Sequence, residues 1–229
     1  MADQTRLETE FLIDEKLQYL QSAPLEVIQQ ICLQYRYFTK NYPDTLGVLV
    51  SKIPYGNFKC LMAEILAEEL GNGQLENAHL KMWDDFLLSI GVSQDELDNS
   101  AIPDNMALLE DLLELTKNES TLYAVGLRGM GGECLCQVYL SAMHKYMLKN
   151  PYFQKNQSDI NWTFWDIHVG EADIIHNQLV RQAINNMVDA EPESVDELTA
   201  GYQKAKESWG VYWNNIYDLA RTKQMSMVN

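Results

Sequence analysis

The chain has 229 residues, 46% of them hydrophobic, and 33 acidic against 17 basic side chains give it a formal net charge of −16. That length supports one domain over residues 1–229 with a substantial core. The acidic balance argues against nucleic acid and anionic membranes as partners, because both demand a basic footprint, and it reads most simply as a solvated acidic surface. The N-terminus lacks an apolar signal core, and no window holds the ~18 uninterrupted apolar residues of a membrane span, so a cytoplasmic protein is expected. The cysteines, Cys32, Cys60, Cys134 and Cys136, lie in apolar contexts without zinc-finger spacing and are expected to be buried, reduced thiols.

Helical periodicity recurs along the chain and nothing alternates as strand does. Residues 5–21 predict a first helix. Pro24 opens the second, to Phe38, with Leu25, Ile28, Ile31, Cys32 and Tyr35 on one stripe. The run Asn41-Tyr42-Pro43-Asp44 predicts a turn, followed by a short helix to Lys52. The next helix starts at Pro54–Asn57 and runs to Leu70, where Gly71-Asn72-Gly73 stops it. Another spans Leu75 to Ile90, and Ser93 with Glu96 forms a capping box. Pro103 starts a helix to Thr116. A long apolar one follows Asn118 as far as Leu148, ended by Asn150-Pro151. Ser158-Asp159 opens a further helix to Val188, and Glu191 to Ser194 separate it from a last one ending near Thr222. The expected fold is all-α, a single helical bundle, and bundle cores are common hosts for metal sites.

There are four histidines, His79, His144, His168 and His176, and three stand near carboxylates. Asp173 and His176 are i, i+3 and share a helix face. On an unbroken helix His168 lies about 80° from His176 and about 140° from Asp173. One turn cannot aim all three at a point, so a π-bulge or an unwound turn at Val169 to Ala172 is expected, eased by Gly170. Glu69 and His79 straddle the Gly71–Gly73 break, so one can end a helix while the other enters from the next. Glu133 lies in an apolar stretch with Gly126, Gly129, Gly131 and Gly132. A glutamate there is costly to bury without a metal or a cation, and Arg128 is the nearest cation. Each glycine costs a helix about 1 kcal/mol relative to alanine, which close helix packing or room for a ligand would explain. Imidazole plus carboxylate is a ligand mixture suited to iron or manganese.

Glu69-Leu70-Gly71-Asn72-Gly73 with His79, then Glu133 followed six on by Tyr139, then His168, Asp173 and His176 after an aromatic, together resemble the haem-oxygenase-like dimetal oxidases. The resemblance spans about residues 55 to 185. It implies a seven-helix, haem-oxygenase-type bundle that binds two Fe(II) ions through Glu69, His79, Glu133, His168, Asp173 and His176, with O2 as co-substrate. The interval from His168 to Asp173 is one residue longer than the family's usual pattern, which leaves Glu171 as an alternative to Asp173. The resemblance further implies an oxidase acting on a small, amino-acid-like molecule, with an external reductant and a homodimer both open. Arg128 would pair with the substrate carboxylate in a fork, and Tyr123 and Trp165 would contact its side chain. Two other readings stay open: a metal-free member of the same fold, of thiaminase or cofactor-synthase type, and a non-catalytic iron-binding helical protein.

Overall fold

The computed structural model describes residues 16–169, 171–190 and 195–228, without the side chains of 171–177, 190, 220, 221 and 223–228. Among the described residues the chain is all-α and has no strand. The expected helix over 5–21 lies mostly outside them; its end is a 3-10 turn, Gln18–Gln21.

The first long helix, α1, runs without interruption from Leu25 to Lys52 and contains Pro43. The turn expected at Asn41–Asp44 is therefore absent. Proline costs a helix a hydrogen bond and a local clash, but the buried stripe Tyr35, Phe38, Tyr42, Leu46 and Leu49 continues in phase past it. Burial on that face outweighs the local preference. The next helices are α2 (Asn57–Glu69), α3 (His79–Ser89) and α4 (Pro103–Asn118, proline in its first turn). A short helix, Gln94–Asn99, begins at the expected capping box of Ser93 and Glu96.

The long apolar rod, α5, is continuous through Thr121–Ala124, Val125–Cys134 and Leu135–Met147, and its middle part is a π-helix. Its glycines have two uses. A Cβ on Gly126 would lie 2.1 Å from the carbonyl oxygen of Leu198, and one on Gly131 would lie 2.1 Å from the Cβ of Ala205. Leu198 and Ala205 belong to the last helix, α8 (Val195–Val228), so the glycines let two backbones meet. Gly201 of α8 returns the contact, its Cβ position being 2.1 Å from the Tyr123 carbonyl oxygen. Gly132 instead leaves room for the hydroxyl of Tyr42, 2.8 Å from where its Cβ would be. Between α5 and α8 lie α6 (Thr163–His168) and α7 (Glu171–Ala190).

Helix α1 packs against α2, α3, α4 and α8, while α7 packs against α2, α5 and α6. The buried apolar side chains form one connected core reaching from Leu17 to Ile216. Cys32 and Cys134 are buried and Cys136 is half-buried, as free thiols; Cys60 is exposed, because its helix turns that face outward. Among the described residues no helix is long and apolar enough to cross a membrane.

Candidate metal centre

Three of the expected ligands converge. Glu69 is the last residue of α2 and His79 the first of α3. Between them Gly71, Asn72 and Gly73 all take positive φ, +77°, 52° and +85°. This left-handed run reverses the chain, and a side chain on Gly71 would meet the Ala78 backbone nitrogen at 2.5 Å. The reversal places His79 Nδ1 3.0 Å from Glu69 Oε2. Helix α3 is held on α1 by the Trp83 indole N–H, which donates to the Cys32 carbonyl at 3.0 Å. Arg36 adds a forked pair to Asp84, with Nη2 2.9 Å from Oδ2.

His168 arrives from α6. Its Nε2 stands 3.0 Å from His79 Nδ1, and its Nδ1 is 2.8 Å from the Phe164 carbonyl oxygen. A carbonyl only accepts, so Nδ1 carries the proton and Nε2 presents its lone pair to His79 and Glu69. Burial, and then the neighbouring His79, push the His168 pKa down to about 3, against a smaller opposing effect of the Phe164 carbonyl. The ring is neutral at physiological pH, the form that binds a metal. One donor atom each from Glu69, His79 and His168 lie within 4.8 Å of one another. Ligands about 2.0–2.2 Å from a shared ion stand roughly 3–4 Å apart, so the trio fits one.

The helix carrying His168 ends there, Val169 is its C-cap (φ −108°, ψ −2°), and α7 begins at Glu171. Of the two expected interruptions, a π-bulge and an unwound turn, a helix that ends at His168 and another that starts at Glu171 agree with the second, Gly170 itself lying outside the described residues; the π-helix sits in α5. Asp173, His176 and the alternative Glu171 fall on the first turns of α7, and their side chains lie outside the described residues.

Glu133 stands apart from the trio on the π-helical part of α5. Its carboxylate accepts a short hydrogen bond from the Tyr42 hydroxyl. Tyr42 in turn lines a small pocket with Glu69, His168, Tyr35, Phe164 and Cys136. Burial, and then the Glu133 charge, push the Tyr42 phenol well above its usual range, so it stays a donor. Arg128 is buried at 3% exposure. It donates to Thr45 Oγ1 at 3.1 Å and its guanidinium lies 5.0 Å from the Tyr42 ring centre. Its Nε has no hydrogen-bond partner among the described residues. Trp165 is fully buried among Trp83, Phe86 and His144, its indole N–H without a partner among the described residues. Tyr123 is half-buried at the start of α5 and lines neither this pocket nor the small cavity beside Arg128.

Motif reading missed Tyr35, Tyr42, Phe164 and Cys136, all in the pocket wall. Tyr35, Thr39 and Tyr42 lie at i, i+4 and i+7, a helix face that the expected turn at Pro43 concealed.

An all-α bundle with imidazole and carboxylate converging between helix ends defines a class of protein, and the comparisons narrow it. The model of a family described as "Iron-containing redox enzyme" matches residues 29–210. The chain belongs to that family, and its fold is of haem-oxygenase type. Two crystal structures of a CADD-like protein of unknown function from Nostoc punctiforme are similar to it. At 1.35 Å the TM-score is 0.69 with 16% identity, covering 96% of this chain and 97% of that one. At 2.00 Å the TM-score is 0.71 with 18% identity, covering 95% and 99%. At such identity the likeness concerns the fold alone. No match is found among curated proteins.

Proposed function

We propose that the chain, as one domain over 1–229, is an O2-dependent non-haem diiron oxidase of a small amino-acid-like substrate. The observation that carries this is the convergence of Glu69, His79 and His168, with the His168 lone pair turned inward by the Phe164 carbonyl. Glu133 would complete a second position across the pocket, held by Tyr42. Asp173 and His176 would supply the remaining ligands from α7, which packs against both α2 and α6. Bound iron would supply O2 binding and the redox chemistry of its activation.

The protein's own residues do the rest. Phe164 stacks on His168 at 3.8 Å and fixes its ring plane. Phe38, Leu140 and Phe164 give the pocket an apolar wall that excludes water. Arg128 offers its unpartnered Nε–H to a substrate carboxylate. Trp165 is proposed to shape the substrate's end of the pocket, and Tyr123 its approach. The chain as a whole resembles a cyanobacterial nitrile synthase that acts on a brominated tryptophan, so tryptophan and its bromo derivatives are the substrates to try first, with a nitrile among the products to look for.

The test is reconstitution with Fe(II) without oxygen, metal analysis, then rapid mixing with O2 under optical detection. Two irons per chain and a transient visible band are expected. Glu133→Ala should lose at least one iron and all turnover. Full iron loading by that variant would remove Glu133 from the ligand set, and wild-type protein that takes up no iron would leave the metal-free reading in its place.

A further inference from the structure

A small cavity lies where α1, α4, α5 and α8 meet. Its wall is mostly apolar and aromatic, with Phe38 of α1, Leu109 and Leu112 of α4 and Trp209 of α8. Two polar side chains interrupt that wall, Arg128 of α5 and Ser208 of α8, and each is only 3% exposed. The cavity has about 10 Å³ of room, enough for one water-sized particle. Phe38 also lines the pocket of Glu69 and His168.

Among the described residues neither the Arg128 Nε–H nor the Ser208 hydroxyl has a hydrogen-bond partner. A buried polar group left unpaired is costly, and here two of them line one space. Ser208 had a local alternative. Thr39, Thr116 and Thr222 each turn the hydroxyl back to the carbonyl four residues earlier in their own helix, a common choice for a hydroxyl inside a helix. Ser208 stands in the middle of α8 and does not take it. Arg128 adds a full charge. Its guanidinium donates to the neutral Thr45 hydroxyl and lies over the neutral rings of Phe38 and Tyr42. Burial pushes its pKa down, against the opposing effect of Tyr42 and Glu133, yet a guanidinium stays protonated in proteins. A buried cation calls for a negative partner.

We propose that this cavity is a site for one small monovalent anion, held between the Arg128 Nε–H and the Ser208 hydroxyl. Both groups donate, and an anion only accepts. The apolar wall gives the ion no hydration in return for the water it loses, so a weakly hydrated halide, chloride or bromide, suits the site better than fluoride. One such ion satisfies both unmatched donors and neutralises the guanidinium. A carboxylate oxygen offers the same acceptor chemistry, so a substrate carboxylate reaching Arg128 would meet the same two donors. That second occupant rests on the oxidase reading above; the halide does not.

The experiment uses metal-free protein at constant ionic strength, with sodium gluconate, too large for the cavity, replaced stepwise by sodium chloride or bromide. The Tm of wild type should rise with halide as binding to the folded state requires. Ser208→Ala removes only a hydroxyl that has no partner among the described residues, so it folds, and in gluconate alone it should melt at or above wild type. Its apparent halide affinity should be at least tenfold weaker. Crystals soaked in bromide should show an anomalous peak between Arg128 Nε and Ser208 Oγ. L-Tryptophan and tryptamine, which lacks the carboxylate, then separate the two occupants. If L-tryptophan weakens bromide binding and tryptamine does not, a substrate carboxylate shares the site; if neither does, the site serves the free halide alone. Identical halide curves for wild type and Ser208→Ala, or a soaked crystal with no bromide in the cavity, overturn the proposal and leave a buried water in its place. Protein that takes up no iron would defeat the oxidase reading and leave the halide result standing.

Discussion

Replacing Gly126 with alanine tests why glycine crowds the π-helical part of α5. The added Cβ would stand 2.1 Å from the Leu198 carbonyl oxygen, 2.9 Å from its carbon and 3.0 Å from the Tyr202 nitrogen. All three are backbone atoms of a long helix, so no rotamer change relieves the contact, and α5 and α8 must separate. Overpacking of this kind costs up to about 3 kcal/mol. Alanine returns about 1 kcal/mol of helix propensity, leaving a net loss of about 2 kcal/mol. For a chain of this size each kcal/mol moves Tm by roughly 2–4 °C, so Tm should fall by about 4–8 °C. Gly129→Ala is the matched control, because its Cβ would meet only side chains, the nearest being Val125 Cγ1 at 3.7 Å. That variant should melt at or slightly above the wild-type temperature. Differential scanning calorimetry of both, metal-free, gives the comparison. If Gly126→Ala melts with wild type, close packing is not what the glycine provides, and room for a ligand is the remaining explanation.

Arg128→Lys keeps the charge but loses the planar fork and its free Nε–H. KM for an amino-acid substrate should rise by about tenfold, the equivalent of ~1.4 kcal/mol, while iron content stays unchanged; a variant that instead fails to load iron would make Arg128 a support for Tyr42 and Glu133. His144 titrates below its usual range because of burial, against the opposing charge of Asp166. Its folded form therefore resists protonation, so stability is held above the unfolded pKa of about 6.5 and declines as pH falls below it. His144→Gln should flatten that decline in metal-free protein, and an acid-unfolding curve identical to wild type would show that His144 contributes nothing to it.

The bundle could be read from the sequence because burial repeats with the helical period. The capping box at Ser93 and the proline start of α4 are local rules that tertiary structure left alone. The turn at Pro43 failed for the opposite reason. Local preference weighs one lost hydrogen bond, whereas the structure weighs a buried stripe on both sides of it, and the sequence window held only the first part of that stripe. Continuing the helix in phase from Tyr35 into the expected turn leads to Tyr42, and with it to the partner of Glu133. The thiol at Cys136 and the ring of Phe164 had no such route, since their place in the pocket depends on how α5 and α6 approach α1.

Breaks in helices organise the centre. A helix projects a given face once per 3.6 residues, so Glu69 and His79 could not both face one ion from a single straight helix with any economy of chain. The left-handed run at Gly71–Gly73 releases that constraint, and so does the end of α6 at His168. Each break also leaves a ligand at a helix terminus, where the backbone of one element and the side chains of the next hold it from two sides: the Phe164 carbonyl on His168, and the Trp83 and Arg36 anchors behind His79. The glycines that looked expensive as helix residues fall into the same logic. Gly71 permits the reversal that carries His79 back to Glu69, and Gly132 admits the Tyr42 hydroxyl to Glu133. Glycine here is placed where a side chain would occupy the space through which a ligand, or the group that holds it, must come.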